Sequence, residues 1–516
     1  MKRQIVNIIN FVRGCEPRQE MDLYTPVTEQ IKLINKYDLK ATFLLQYDTL
    51  CDDRFIDILS QINGKTELGV WLEVVQPQCE AAGVKWRGRP GFPWDWYANA
   101  GFTVAYEREE RERLVDALFE KYKDRYGKYP RCIGSWAIDA HTYEYVSKKY
   151  DVDAACTCRD QWGTDGYTFW GGYYNQAYYP CKNNMLCPAQ TAEQQINIPV
   201  FRMLGSDPIY QYDMGLDVNG VAAEWQGVAT LEPVYAGSDG GGNPDWVDWY
   251  LSENFSGRCI KFGYTQAGQE NSFGWGLMCN GLTYQLGRIA ELCKQGKTEA
   301  LTLSETGAWF KKEFAQTPPT VVSALSDRHG KNRSSVWYNC KNYRADIYTE
   351  LDRFWIRDIF LFREGYKERY LNSKNDSTAM TFDNLPFTDG NRYSGSGVRA
   401  GLYPFANGEA LTFKTLEYGE DENSASVVFK GTQIGDLVIK TKEDRIEFCA
   451  DGEFVLKNVS KNGEDEPEKT LYNNEIRLKY RGFDYSVPVA SGYAEDTNTF
   501  VSENKKIVLI MDKEND

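Results

Sequence analysis

What most constrains this chain is an alternation running through its first 310 or so residues. Short apolar, β-branched runs trade places with longer segments of helical spacing. IVNIINFV (5–12) is followed by TPVTEQIKLINKY (25–37), in which Val27, Ile31, Leu33 and Ile34 fall close to a 3.6-residue period. ATFLLQYDTL (41–50) and RFIDILSQI (54–62) repeat the pairing. ELGVWLEVVQP (67–77) reads as a third strand, and YEREERERLVDALFEKYKDRYG (106–127) as a charged amphipathic helix. RCIGSWAIDAHT (131–142), with TYEYVSKKY as its helix, and VDAACTCRDQ (152–161) give the fourth and fifth strands. IKFGYTQAG (260–268) and ALTLSETGAWF (300–310) bring the count to seven, with the helix NGLTYQLGRIAELCKQ between them; PVFRMLGSDPIY (199–210) adds a further strand and loop. Repeated βα units imply a parallel sheet covered by helices. The expectation is an α/β fold with a (β/α)7-type, TIM-like barrel over residues 1–318.

Past TPPTVV, near residue 320, the texture changes to short strands separated by turn residues: SVWYNCK, ADIYTE, RFWIRDIFLF, ASVVFKG, DLVIKTK, RIEFCAD, EIRLKYRG and KIVLIMD among them. This predicts a C-terminal all-β sandwich over residues 319–516.

Charge narrows the partners. The net charge of −15, with no dense Lys/Arg run, argues against nucleic acid or an anionic membrane surface. No run approaches the ~20 apolar residues of a membrane span, and the N-terminal MKRQIVNIINFVRG lacks a signal-peptide pattern. A cytoplasmic protein is expected, its 13 cysteines mostly reduced. Cys156 and Cys158 could form half of a metal site, but no second pair has ligand spacing, so no metal and no cofactor are expected. The oligomeric state stays open, a homo-oligomer included.

In a barrel of parallel strands the active site lies at the C-terminal strand ends. Strand one ends near Arg13. The other ends offer Gln46 and Asp48, Glu73, Asp139 and His141, Asp160 and Gln161, Arg202 and Asp207, Glu232, and Glu305. Asp and Glu after a strand often cap the next helix, and Asp48 and Asp160 suit that role. Glu73 is harder to set aside, because a carboxylate flanked by Leu72 and Val74 must be paired or functional. Two aromatic-rich segments, WRGRPGFPWDWYANAGF (86–102) and DQWGTDGYTFWGGYYNQAYYP (160–180), would line the barrel mouth as stacking walls. There is no G-x-S-x-G elbow, no G-x-G-x-x-G and no Walker A stretch; SDGGGNPDW (238–246) reads as a loop. An acidic pocket rimmed by Trp and Tyr is what glycoside hydrolysis asks for: one carboxyl protonates the leaving oxygen, and a second carboxylate attacks or activates water.

INFVRG, ATFLLQYD, ELGVWLE, GSWAIDAHT and LTLSETGAWF, in that order, resemble the glycoside hydrolase/deacetylase superfamily of (β/α)7 barrels, which includes glycoside hydrolase families 57 and 38 and the polysaccharide deacetylases. The resemblance implies a glycan-active enzyme. Family 57 places its nucleophile after the fourth strand and its acid/base after the seventh, which by strand order points to Asp139 and then to Glu305 or Glu232. The chain departs from that family in carrying Asp139 where a Glu is expected and in lacking a His-rich first motif. Zinc in the related deacetylases is held by an Asp and two His, whereas His141 and His329 are the only histidines here.

The expected activity is hydrolysis, or transglycosylation, of an oligosaccharide. Glu73 and Asp139 lead as catalytic carboxylates, with Glu232 and Glu305 next. Gln46, Asp48, Trp71, Trp94, His141, Asp160, Gln161, Arg202 and Asp207 are the candidate substrate-binding residues. Two alternatives remain: a metal-dependent deacetylase using Asp48, Asp139 and His141 around one ion, and a carbohydrate-binding protein without catalysis.

Overall fold

The computed structural model describes residues 2–216, 225–395, 397–463 and 465–512. The N-terminal alternation becomes eight parallel strands: β1 (Arg3–Val12), β2 (Thr42–Leu45), β3 (Glu67–Trp71), β4 (Cys132–Gly134), β5 (Ala154–Thr157), β6 (Val200–Arg202), β7 (Phe262–Ala267) and β8 (Glu299–Leu301). Their order is β7-β1-β2-β3-β4-β5-β6, and β8 pairs with β1. β1 is long enough to serve two neighbours in succession. Its residues 5–7 pair with β8 and its residues 9–12 with β2. The sheet curls like a barrel. Among the described residues β6 and β7 share no ladder; the rings of Phe201 and Tyr264 meet there, 5.1 Å apart.

Among the described residues eight helices accompany these strands: α1 (Tyr24–Tyr37), α2 (Asp53–Leu59), α3 (Gln76–Ala82), α4 (Arg108–Tyr126), α5 (Ala140–Lys149), α6 (Pro244–Asn254), α7 (Trp275–Lys294) and α8 (Leu303–Glu313). In α1 the periodic residues Val27, Ile31 and Ile34 are buried, while Leu33 stays half-buried at the edge of the stripe. One expected strand is mostly helix. ALTLSETGAWF contributes only its first two residues to β8, because Thr302 and Glu305 form a capping box that starts α8 at Leu303.

Beyond Thr320 the described secondary structure is all strand, in two large antiparallel sheets of ten and eight strands. Their apolar faces share one core: Val336, Ala345 and Ile356 from one sheet meet Val427, Ile439 and Leu509 from the other, and Phe354 stacks on Phe429 at 3.8 Å. The two parts of the chain are stitched together. Strand Tyr167–Phe169 pairs in parallel with Met380–Phe382. Among the described residues no helix is long and apolar enough to cross a membrane.

Candidate active site

The C-terminal ends of β1, β3 and β7 converge. β1 ends at Val12, so the next residue, Arg13, leaves the sheet with its side chain free to turn over the strand ends. Two residues beyond β3 stands Glu73, and three beyond β7 stands Glu270. The turn that delivers Glu270 depends on Gly268. Its φ is +110° and an added Cβ would lie 2.0 Å from the Ile9 carbonyl oxygen, so a side chain there would break the close approach of β7 to β1. Asn271 then locks the two strand ends together. It accepts the Arg13 N–H at 2.9 Å, and its own amide donates to the Arg13 and Leu23 carbonyls at 2.9 Å.

Arg13 thus sits between two carboxylates. Its Nε and Nη2 donate to the two Glu73 oxygens at 2.9 and 3.0 Å, and its Nη1 donates to Glu270 Oε1 at 3.1 Å. Glu73 also accepts the Trp71 indole N–H at 2.8 Å. Ser272 donates to Glu270 Oε1 at 2.7 Å, while Glu270 Oε2 is buried without a hydrogen-bond partner. Glu232, from the loop between β6 and α6, is buried on the same cavity and accepts the Thr230 hydroxyl at 2.8 Å.

The cavity measures about 470 Å³, inside the ~300–1,000 Å³ range of small-molecule sites. Glu73, Glu232, Glu270 and Asp165 line it with Arg13, Arg18 and Arg159. Trp94, Trp96, Phe102, Trp136 and Tyr167 supply aromatic wall. The Arg13 guanidinium lies 4.2 Å over the Trp94 ring, and Trp136 stands edge-on to Trp71 at 5.5 Å.

Electrostatics separate the three glutamates. Burial pushes the Glu270 carboxyl up, Arg13 opposes it, and the nearby charges of Glu73 and Glu232 reinforce it, leaving the group at about 7. Glu232 is also raised by burial, against the pull of Arg159, Thr230 and Gln269. Burial alone would lower Arg13, but Glu270 and Glu73 hold it charged. With three charge-assisted and indole bonds converging on it, Glu73 serves as the counter-ion of Arg13.

Of the residues singled out in the sequence, Glu73, Glu232, Trp94 and Gln161 line this cavity, and the others lie elsewhere. Asp139 caps α5, accepting from Thr142 and Thr103 and pairing with Arg111 at 2.9 Å. Burial raises its carboxyl, but Arg111 and the hydroxyls outweigh that and hold it below the ordinary value. Glu305 is half-exposed at the opposite ends of the strands, in the capping box of α8, and pairs with Lys40 at 2.6 Å. Asp48 accepts the Gly14 and Thr49 N–H groups, and burial pushes it up to about 6. Gln46 reaches the Glu73 carbonyl at 3.4 Å, behind the site. Trp71 is buried behind Trp136, stacked on Phe11 at 4.3 Å. Asp160 and Arg202 pair at 3.0 Å in the interior, and Asp207 accepts the Ile209 and Tyr210 N–H groups and the Trp246 indole. Asp139, Glu305, Asp48, Asp160 and Asp207 each have hydrogen-bond or ion-pair partners that explain them, which strand-end position alone did not reveal.

In the sequence Arg13 stands out only as a strand end, and Glu270 is not among the residues that strand-end position singles out. The signal for Glu270 was present: GQEN follows the apolar run of β7 as a carboxylate follows that of β3. The two aromatic segments divide. The first supplies Trp94, Trp96 and Phe102 to the cavity. From the second, Tyr167 lines it, whereas Trp170 packs against Tyr212 and Tyr174 stacks on Trp337 of the β-rich part.

The residues present do not fit the metal set of an Asp and two His. His141 contacts Arg108 and Glu112, and His329 pairs with Asp239 at 2.7 Å in a different part of the molecule. Among the described residues no three His, Cys, Asp or Glu side chains, Asp48, Asp139 and His141 included, come together as a metal site. Cys156 and Cys158 are buried free thiols, both raised by burial.

No protein-family model matches the chain, and no curated protein sequence matches it. Among solved structures, a proposed glycoside hydrolase/deacetylase from Parabacteroides distasonis aligns with a TM-score of 0.52 at 16% identity, covering 73% of this chain and 88% of that one. That similarity establishes a shared fold, and the resemblance read from the sequence holds at this level. A proposed polysaccharide deacetylase from Mycobacterium smegmatis (TM-score 0.36, 11% identity, 61% of this chain and 92% of that one) is more distant. So is a family 57 branching enzyme from Thermococcus kodakaraensis (TM-score 0.29, 10% identity, 61% and 71%). At these scores the last two carry no argument about the site.

Proposed function

We propose that this chain is a carbohydrate-active hydrolase that cleaves a glycosidic bond with Glu270 as the acid and Glu232 as the second carboxylate. The observation that carries the reading is Glu270: a buried carboxyl at about 7, anchored through Oε1 and with Oε2 unpartnered. A group titrating near neutrality holds its proton often enough to donate it and is acidic enough to release it. A sugar ring against Trp94 and Trp136 would present its bridging oxygen to the Glu270 carboxyl on the cavity wall. The proton passes to that oxygen, the C–O bond to the anomeric carbon breaks with its electron pair leaving on the alcohol, and Glu232 either attacks that carbon or takes a proton from the incoming water. An acceptor sugar in place of water would make the same step a transglycosylation. Glu73 positions Arg13 and tempers its charge, which keeps Glu270 from being pulled fully ionised. In this reading residues 1–318 carry the chemistry and residues 319–516 buttress it.

The test is release of reducing ends or nitrophenol from oligosaccharides and nitrophenyl glycosides, with and without EDTA, by the wild type, Glu270→Gln and Glu232→Gln. Release that survives EDTA and is lost in both variants is the expected result. Release that both variants retain would overturn it. A second reading, removal of an acyl group from a glycan, draws on the glycoside hydrolase/deacetylase name of the Parabacteroides protein. Acetate released without new reducing ends would identify it.

A further inference from the structure

Five arginines have fully buried side chains: Arg111, Arg159, Arg202, Arg344 and Arg357. Four of them hold carboxylates. Arg111 pairs with Asp139, Arg202 with Asp160, Arg344 with Asp160 and Asp358, and Arg357 with Asp346 and Asp213. Arg159 differs. Among the described residues it has no carboxylate at ion-pair distance; its Nη1 donates to the Asp160 carbonyl and, at 3.4 Å, to Gln226, and its Nε is buried without any partner. It is also the one of the five that lines the cavity.

A buried guanidinium without a counter-charge is costly, and proteins ordinarily pair it. The cavity's own acids do not fill the role. Glu73 is committed to Arg13, Glu270 takes up a proton near neutrality, and Glu232, which accepts the Thr230 hydroxyl, attracts Arg159 only from beyond ion-pair distance. A guanidinium on a cavity wall that has donors to spare and no carboxylate at ion-pair distance among the described residues matches a carboxylate or a sulfate. Resting on the glycan-hydrolase reading above, we infer that the substrate is an acidic glycan whose carboxylate or sulfate seats on Arg159. The anion supplies the missing counter-charge and fixes the sugar relative to Glu270 and Glu232. Arg18, which also lines the cavity over Trp94 and Trp96, is already paired with Glu16 and so leaves Arg159 as the seat for the anion.

The experiment compares turnover and calorimetric binding, by the intact protein, of oligogalacturonides, their carboxyl-reduced neutral counterparts, carrageenan oligosaccharides carrying sulfate only, and neutral malto-, cello- and xylo-oligosaccharides. The expected result is selective binding and turnover of a carboxylate-bearing or a sulfate-bearing arm; the responding arm tells the two anions apart. In Arg159→Gln the ratio of kcat/KM for the acidic substrate over its neutral counterpart should fall on the order of 10- to 100-fold, the worth of one charge-assisted contact. Arg159→Lys, which keeps the charge and loses the fork, should fall between, and it serves if the Gln variant does not fold. Turnover of neutral glycans with an unchanged ratio in the variants would overturn this inference and leave the hydrolase reading standing. Selective binding of an acidic arm without turnover would overturn the hydrolase reading and keep the anion seat. Neither binding nor turnover in any arm would overturn both.

Discussion

Two buried charge triads in this molecule are mirror images. In the cavity one arginine, Arg13, lies between two carboxylates, Glu73 and Glu270. Deeper in, one carboxylate, Asp160, lies between two arginines, Arg202 at 3.0 Å and Arg344 at 2.6 Å. The inner triad is closed off: Arg344 carries its surplus charge to Asp358 at 2.9 Å, and carbonyls of Cys158, Gly171 and Tyr173 take the remaining Arg202 donors. The cavity triad is left open. It has one carboxylate too many, the excess is met by a proton on Glu270, and Glu270 Oε2 has no partner. Satisfied charges make structure, whereas a leftover lone pair and a mobile proton beside a cavity make chemistry.

The comparison can be broken at its strongest point first. Glu270→Gln keeps the shape and removes the proton, so turnover on any substrate found should fall about 10²- to 10⁴-fold in a steady-state assay. Asp160→Asn should leave Arg202 without a carboxylate partner and cost about 3–5 kcal/mol in denaturant unfolding. Glu73→Gln should cost less than Asp160→Asn in the same assay, because Glu270 can release its proton and take over as the counter-ion of Arg13.

Smaller effects sharpen the same contrast. The Glu270 carboxyl is raised in the folded protein, so its contribution to stability is fully present below its unfolded value and is lost as pH rises through about 7. Between pH 5 and 8, Glu270→Gln should therefore gain about 1–3 kcal/mol relative to the wild type in parallel unfolding curves. Wild-type activity should fall above about pH 7 as the acid ionises. The Glu73 charge helps to raise Glu270, so Glu73→Gln should move that alkaline limb to lower pH.

Periodicity made most of the fold legible. Strands one to five, the long helices and the change to β structure near residue 320 follow from apolar spacing, which burial enforces. The capping box at Thr302 and Glu305 was visible in LTLSE, but the β-branched and apolar run around it masked the helix start. The site was legible in kind more than in membership. Glu73 stood out because a carboxylate inside an apolar strand must be answered by something, and Arg13 answers it. Asp139, read as a catalytic carboxylate, and Asp160, read as a cap or substrate contact, are instead answered by Arg111 from α4 and by Arg344 from far along the chain. Spacing along one segment carries no trace of such partners. Glu270 depended on the turn at Gly268, whose direction only the packed sheet decides.

The central claim is that Glu270 is a buried acid poised near neutrality. It is tested most directly, without any substrate, by titrating the side-chain carboxyl carbons of ¹³C-glutamate-labelled protein by NMR in the wild type and in Glu270→Gln. The account predicts a glutamate resonance with its midpoint at about 7 that is missing from the variant, beside that of the buried Glu368 at about 8, which the variant keeps. A wild-type spectrum in which every glutamate other than Glu368 has finished titrating by pH 5.5 would contradict it.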